Sequence, residues 1–177
     1  MTFLDDKALI KPTIEKLDFL QVSDFAPDLI VSYGYRHIIP EKIYSNFRTI
    51  NLHISYLPWN RGSDPNFWSF KENTPKGVTI HEVDKGLDTG DIIFQKRVKF
   101  PKDCDTLAKT YNFLKEEIEE LFINNWLSLK KADYTKKCQN LKGGTYHRSS
   151  NFKIYKDQLL NGWETNVGEI KCLRDPT

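Results

Sequence analysis

Residues 29–33, 49–54, 77–83 and 91–98 form four short runs rich in apolar and β-branched side chains. Beyond them, Leu107, Tyr111, Leu114, Ile118, Leu121, Phe122, Trp126 and Leu129 recur at steps of three and four. The first pattern suits buried strands, and the second predicts one long amphipathic helix over 105–129. Between the first two runs, a short helix fits residues 40–47, because proline is tolerated in a first turn and Ile43 and Phe47 fall four apart. Ahead of the first run, Ile14, Leu17, Phe19, Leu20 and Phe25 give a rough helical stripe that starts at Pro12 and Thr13. A helix feeding a strand is the minimal α/β unit. The chain is therefore expected to fold as α/β, with a mostly parallel sheet, a long helix and a C-terminal tail.

At 177 residues, the chain can bury roughly 70% of its unfolded surface, so a single domain over 1–177 is expected, with a core at 28–130 and an extension at 131–177. Lys and Arg number 26 against 24 Asp and Glu, a net charge of +2 with no dense basic cluster, which argues against a nucleic-acid partner. Cys104, Cys138 and Cys172 are far apart and lack metal or disulfide spacing. With no leader-like start and no apolar run near the ~18 residues that span a bilayer, a soluble, cytoplasmic protein without a membrane partner is expected. The tail loses periodicity after Lys130, apart from an island at Gly143-Gly144-Thr145-Tyr146-His147-Arg148. It reads as a substrate flap or a partly mobile end.

Chemistry concentrates in two places. In Ile50-Asn51-Leu52-His53-Ile54, the strand period puts Asn51 and His53 on one face and the apolar residues on the other. In Gly86-Leu87-Asp88-Thr89-Gly90-Asp91, glycines let the backbone bring a carboxylate close to another site. An amide, an imidazole and a carboxylate together can polarise a carbonyl and manage one proton. The bland readings are a hydrogen-bonded pair inside a sheet and a plain turn with solvated acids. His81, on the third run, reads as structural, although His53, His81 and Asp88 are types that zinc accepts. Residues 58–65 form a loop after the second run, where α/β folds keep their sites, and Trp59 and Arg61 there suit binding.

The segments NLHISYLPWNRG and GVTIHEVDKGLDTGDII resemble the formyltransferases that use 10-formyltetrahydrofolate. SYGYRHIIP, LPWNRGSDPNFWSF and GGTYHRS are most similar to the branch acting on nucleotide-linked amino sugars. The resemblance implies a formyltransferase-like, Rossmann-like sheet, here N-terminally short, because the matching region begins early. It implies Asn51, His53 and Asp88 as catalytic residues, with Asp88 raising the imidazole's pKa, and no metal. It further implies a pterin pocket from Arg36, His37, Ile38, Ile39 and Pro40 with Asp84, Gly86 and Leu87. Tyr35, Trp59, Arg61, Asp64, Asn66, Trp68, Tyr146, His147 and Arg148 are candidates for holding the acceptor. The implied reaction formylates a dTDP- or UDP-linked 4-amino-4,6-dideoxyhexose, with the 3-amino isomer second and a homodimer left open. The second domain of a tRNA-directed enzyme is not expected. A hydrolase releasing formate and a non-catalytic folate-binding module are the rival readings.

Overall fold

The computed structural model describes residues 6–12 and 14–175. Its first helix, α1 (Phe19–Phe25), begins later than the stripe suggested, because the Asp18 side chain accepts from the Gln21 amide and caps it there. Thr13, half of the expected start, lies outside the described residues. Strand β1 (Ile30–Tyr33), helix α2 (Glu41–Tyr44) and strand β2 (Thr49–His53) follow. Next come β3 (Arg61–Gly62), α3 (Pro65–Lys71), β4 (Gly77–Glu82) and β5 (Ile92–Arg97).

The main sheet has the order β1-β2-β4-β5. Only β1 and β2 pair in parallel; β2 with β4 and β4 with β5 are antiparallel. The mostly parallel expectation is thus met by one pairing of three. Antiparallel neighbours can be joined by a short turn, as residues 83–91 join β4 to β5, whereas a parallel pair needs a longer crossover, which the segment carrying α2 supplies. Connection length does not account for β2 and β4, which are antiparallel although residues 54–76, with α3, lie between them.

Register decides which face carries what. Asn51 lies opposite His81, and Leu52 opposite Ile80. Cross-strand partners share a face, so Ile50, Leu52, Val78 and Ile80 point one way, into a core with Ile93, Leu114, Ile118 and Leu129. Asn51, His53, Thr79 and His81 point the other way.

The apolar face is covered by α4 (Leu107–Asn124), which Thr106 caps by accepting from the Lys109 amide. The expected single long helix is two. Asn125 (φ −109°, ψ 9°) breaks it before α5 (Trp126–Lys131), and its side-chain amide donates to the Leu121 carbonyl. Such local side-chain bonding to the backbone competes with helix continuation.

The tail carries regular structure. Its strand β6 (Tyr146–His147) pairs in parallel with β3, and helix α6 (Ser149–Lys156) follows. A second core of Phe67, Trp68, Leu107, Tyr155 and Ile170 joins this tail to α3 and the start of α4.

Candidate active site

The turn after β4 folds back over the polar face of the sheet and delivers Asp88. Asp88 has φ 53°, a left-handed conformation that costs an L-residue roughly 1–2 kcal/mol and persists where its surroundings demand it. Gly90 is required beside it, since a Cβ there would lie 1.9 Å from the Glu82 carbonyl oxygen. Asp84 braces the turn from its other end: its Oδ1 accepts from the Gly86 amide at 3.0 Å and the Thr89 hydroxyl at 2.6 Å.

The sequence-separated trio comes together. Asn51 Nδ2 donates to Asp88 Oδ1 at 3.1 Å, and His53 Nδ1 lies 3.6 Å from Asp88 Oδ2. Two further groups complete the cluster. The Gly62 amide donates to Asp88 Oδ2 at 2.8 Å, and His81 Nε2 lies 3.2 Å from Asn51 Nδ2 and 3.4 Å from Asp88 Oδ1.

The tautomers follow from the carbonyls. His53 Nε2 faces the Asn60 carbonyl at 3.1 Å and must donate to it, which leaves Nδ1 as the nitrogen able to take a proton. His81 Nδ1 donates to the Glu82 carbonyl at 2.7 Å, so its Nε2 accepts from Asn51.

Charge is asymmetric here. Burial alone would raise the Asp88 carboxyl, but His53, His81 and the Gly62 amide outweigh it and hold Asp88 well below the ordinary carboxylate range. For His53 burial wins: the imidazole lies below its ordinary value, although Asp88 pulls upward. Asp88 thus raises the imidazole as expected, but the net direction is down, because removing an imidazolium from water costs more than a carboxylate already shared by several donors returns. The resting cluster is a neutral His53 beside an ionised Asp88.

The loop after β2 is tied to the tail. Asn60 is fully buried, with its backbone amide donating to Thr145 Oγ1 and its side chain to Thr74 Oγ1. At Gly62 (φ 89°) a Cβ would lie 2.1 Å from the His147 carbonyl oxygen. Pairing with β6 therefore needs glycine at the position whose amide serves Asp88.

The remaining candidates divide. Trp59 is half-buried and stacks on Tyr56, while Arg61, opposite Tyr146 on the β3–β6 ribbon, is half-buried and Tyr146 and Arg148 are exposed. Asp64 is half-buried at the start of α3, and burial pushes its carboxyl up. Asn66 is committed to packing: its amide donates to the Leu107 carbonyl and Thr110 Oγ1. Trp68 and His147 are buried and stacked on each other at 3.8 Å.

Loop 34–40 leaves β1 beside Leu52, and the turn carrying Asp84, Gly86 and Leu87 leaves β4 beside Ile50, on the other side of β2. Arg36 and Ile38 are exposed, Ile39 is buried, and Leu87 is exposed. A cavity of about 350 Å³ is lined by Lys16, Leu17, Tyr35, His37, Ile38 and Pro40. It thus involves the first loop and none of Asn51, His53 and Asp88. Tyr35 Oη accepts from the Leu17 amide, and His37 Nε2 donates to the Ile14 carbonyl.

His81, which reads as structural from the sequence, also meets Asn51 and Asp88; the strand period that puts it on one face with Thr79 was the only sequence signal. The Gly62 amide carried none. Although His53, His81 and Asp88 converge, no group of His, Cys, Asp and Glu among the described residues is arranged to hold a metal ion. No helix among them is long and apolar enough to cross a membrane.

Residues 14–125 match the profile of the family described as formyl transferase. The structure of the formyltransferase PseJ from Anoxybacillus kamchatkensis, in complex with UDP-4,6-dideoxy-4-formamido-L-AltNAc and tetrahydrofolate, is similar with a TM-score of 0.82 and 47% identity. The match covers 88% of this chain and 82% of PseJ. A dTDP-4-amino-4,6-dideoxyglucose formyltransferase from Mycobacterium bovis is 30% identical over 66% of this chain and 49% of its own length. A methionyl-tRNA formyltransferase from Clostridioides difficile is 28% identical over 96% of this chain and 63% of its own. The chain thus spans between 49% and 63% of the length of these two curated relatives.

Proposed function

Because the chain belongs to the formyl transferase family, we propose that it transfers the formyl group of 10-formyltetrahydrofolate to the amine of a nucleotide-linked 4-amino-4,6-dideoxyhexose. The carrying observation is the cluster in which one carboxylate, Asp88, meets Asn51, the Gly62 amide, His53 and His81. A UDP-linked acceptor is favoured, because PseJ is bound to a UDP-linked 4-formamido sugar and is 47% identical. The dTDP-linked and 3-amino sugars stand second.

A pterin is flat and needs apolar walls, which the exposed Ile38 and Leu87 can supply on the two loops flanking β2. The residues proposed to hold it are Arg36 to Pro40 with Asp84, Gly86 and Leu87. When bound, the folate supplies the activated formyl group. The new bond joins the amine nitrogen to the formyl carbon as the bond to the folate nitrogen breaks, with the amine proton leaving and the folate nitrogen regaining one.

The Asn51 amide is the donor for the carbonyl oxygen as negative charge builds on it. Both its protons now face protein acceptors, Asp88 and His81, so the oxygen replaces one of them. Neutral His53 accepts the amine proton, directly or through water, at Nδ1, and ionised Asp88 stabilises the resulting imidazolium. No serine or cysteine nucleophile enters this direct transfer. Trp59, Arg61, Tyr146 and Arg148 are the proposed acceptor contacts, set around the ribbon that carries Gly62.

The test is incubation with 10-formyltetrahydrofolate and a panel of UDP- and dTDP-linked 4- and 3-amino sugars, followed by mass spectrometry. A sugar gaining one formyl in place of one hydrogen supports the reading. Formate release without a modified sugar would point to the hydrolase, and folate binding without turnover to a binding module. Modification of aminoacyl-tRNA alone would overturn the acceptor.

A further inference from the structure

Asp88 is held through its backbone as well as its carboxylate. Gln139, in the tail beyond the residues that match the family profile, donates from Nε2 to the Asp88 carbonyl at 3.0 Å and the Gly90 carbonyl at 2.6 Å. Both amide protons are used on the two sides of Thr89. The amide orientation is unambiguous, since the opposite one would set an oxygen against two carbonyls. Its own Oε1 is buried with no hydrogen-bond partner among the described residues, so the side chain's hydrogen bonding is spent on this turn. The segment is anchored two residues earlier, where Lys137 exchanges both backbone hydrogen bonds with Ile92 at 2.9 Å.

We propose that Gln139 is a positioning residue, whose amide clamps the turn around Asp88 and so aims the carboxylate at Asn51, the Gly62 amide and His53. Its effect on catalysis is exerted through Asp88, without contact to substrate, and its kinetic arm rests on the formyltransferase reading. Asp88, with the Asn60 carbonyl, draws His53 upward in pKa against burial and His81. Loosening the clamp withdraws that support. The imidazole then titrates at still lower pH and becomes a poorer proton acceptor.

The experiment compares the full chain with Gln139→Met, which keeps length and removes both donors, and Gln139→Lys, which restores donors. Each protein is followed by steady-state kinetics and by NMR titration of its ¹⁵N-labelled histidines, with His53 assigned from a His53→Asn sample. Gln139→Met is expected to lower kcat roughly 10–100-fold, the scale of a misplacement near 1 Å. KM should stay within about twofold, with the His53 titration moved to lower pH and Gln139→Lys recovering most of both. An unchanged kcat with an unchanged His53 titration overturns the proposal. So does a loss of kcat that follows loss of folded protein while His53 in the folded fraction titrates as in the parent. If the parent chain transfers formyl to no acceptor, the functional reading fails. The His53 titration still decides the role of Gln139.

Discussion

His53 and His147 are both buried imidazoles with a carboxylate nearby, 3.6 Å away for Asp88 and 3.1 Å for Glu72, yet their surroundings give them different work. Around His53 almost every neighbour is a hydrogen-bonding group: Asn51, His81, the Gly62 amide and the Asn60 carbonyl. His147 lies flat on Trp68, with ring planes 7° apart, above an aromatic core containing Phe67 and Tyr155. Its carboxylate partner Glu72 is exposed. The first region spends burial on holding a charge imbalance, and the second spends it on apolar contact that pins the tail to α3. An acid beside a histidine therefore says little about function until the other contacts of both groups are known.

The largest expected effect separates the two regions by readout. His53→Asn and Asp88→Asn should each cut kcat by about 10²–10⁴ while leaving folate affinity within a few fold and cooperative unfolding in place. Turnover by either variant within threefold of the parent would erase the catalytic half of the contrast. Phe67→Ala should do the reverse. Phe67 is 3% exposed and packs edge-on against Trp68 and Phe152, so its loss should cost about 3–5 kcal/mol in urea unfolding, with activity per folded molecule largely kept.

Acid should expose the polar region next. His53 lies below the ordinary imidazole value of about 6.5 in the folded chain, so on acidification the unfolded chain takes the proton first. Its contribution to stability is complete above about pH 6.5 and is lost as pH falls toward the folded value. Asp88, held below the ordinary carboxylate range, adds a second loss at lower pH by the same sign. Urea midpoints measured from pH 8 to 5 should fall more steeply for the parent than for His53→Asn; parallel curves would contradict a buried neutral imidazole. In turnover, His53 is already neutral near pH 7, so a rate rise through neutrality should report the acceptor amine alone. That limb should survive, at lower amplitude, in His53→Asn.

The smallest effect is expected at the other pair. Glu72→Gln should change stability by less than about 1 kcal/mol, because water screens the exposed carboxylate, and should leave turnover unchanged. A larger loss would show that the aromatic region depends on charge after all.

The sequence by itself determined the parts governed by local rules. Four strands appeared within one or two residues of their observed bounds, because the alternation of side chains along residues 49–54 and 77–83 reports a face that must be buried. Asn51 and His53 were legible on one strand face for the same reason, and Asp88 was singled out within its glycine-bounded turn by the resemblance to the formyltransferases. Tertiary structure decided the rest, since it depends on pairings between distant segments. Strand direction was set by pairing between distant segments, the helix break came from one asparagine amide finding a carbonyl, and Asn66 and Trp68 were drawn into the packing around Leu107. His81 joined the site through its cross-strand partner, and Gln139 through a tail with no periodic signal. The ionisation of the pair was beyond sequence as well. Whether Asp88 raises His53, or burial lowers it, depends on how much water the folded chain excludes and on how many donors already share the carboxylate.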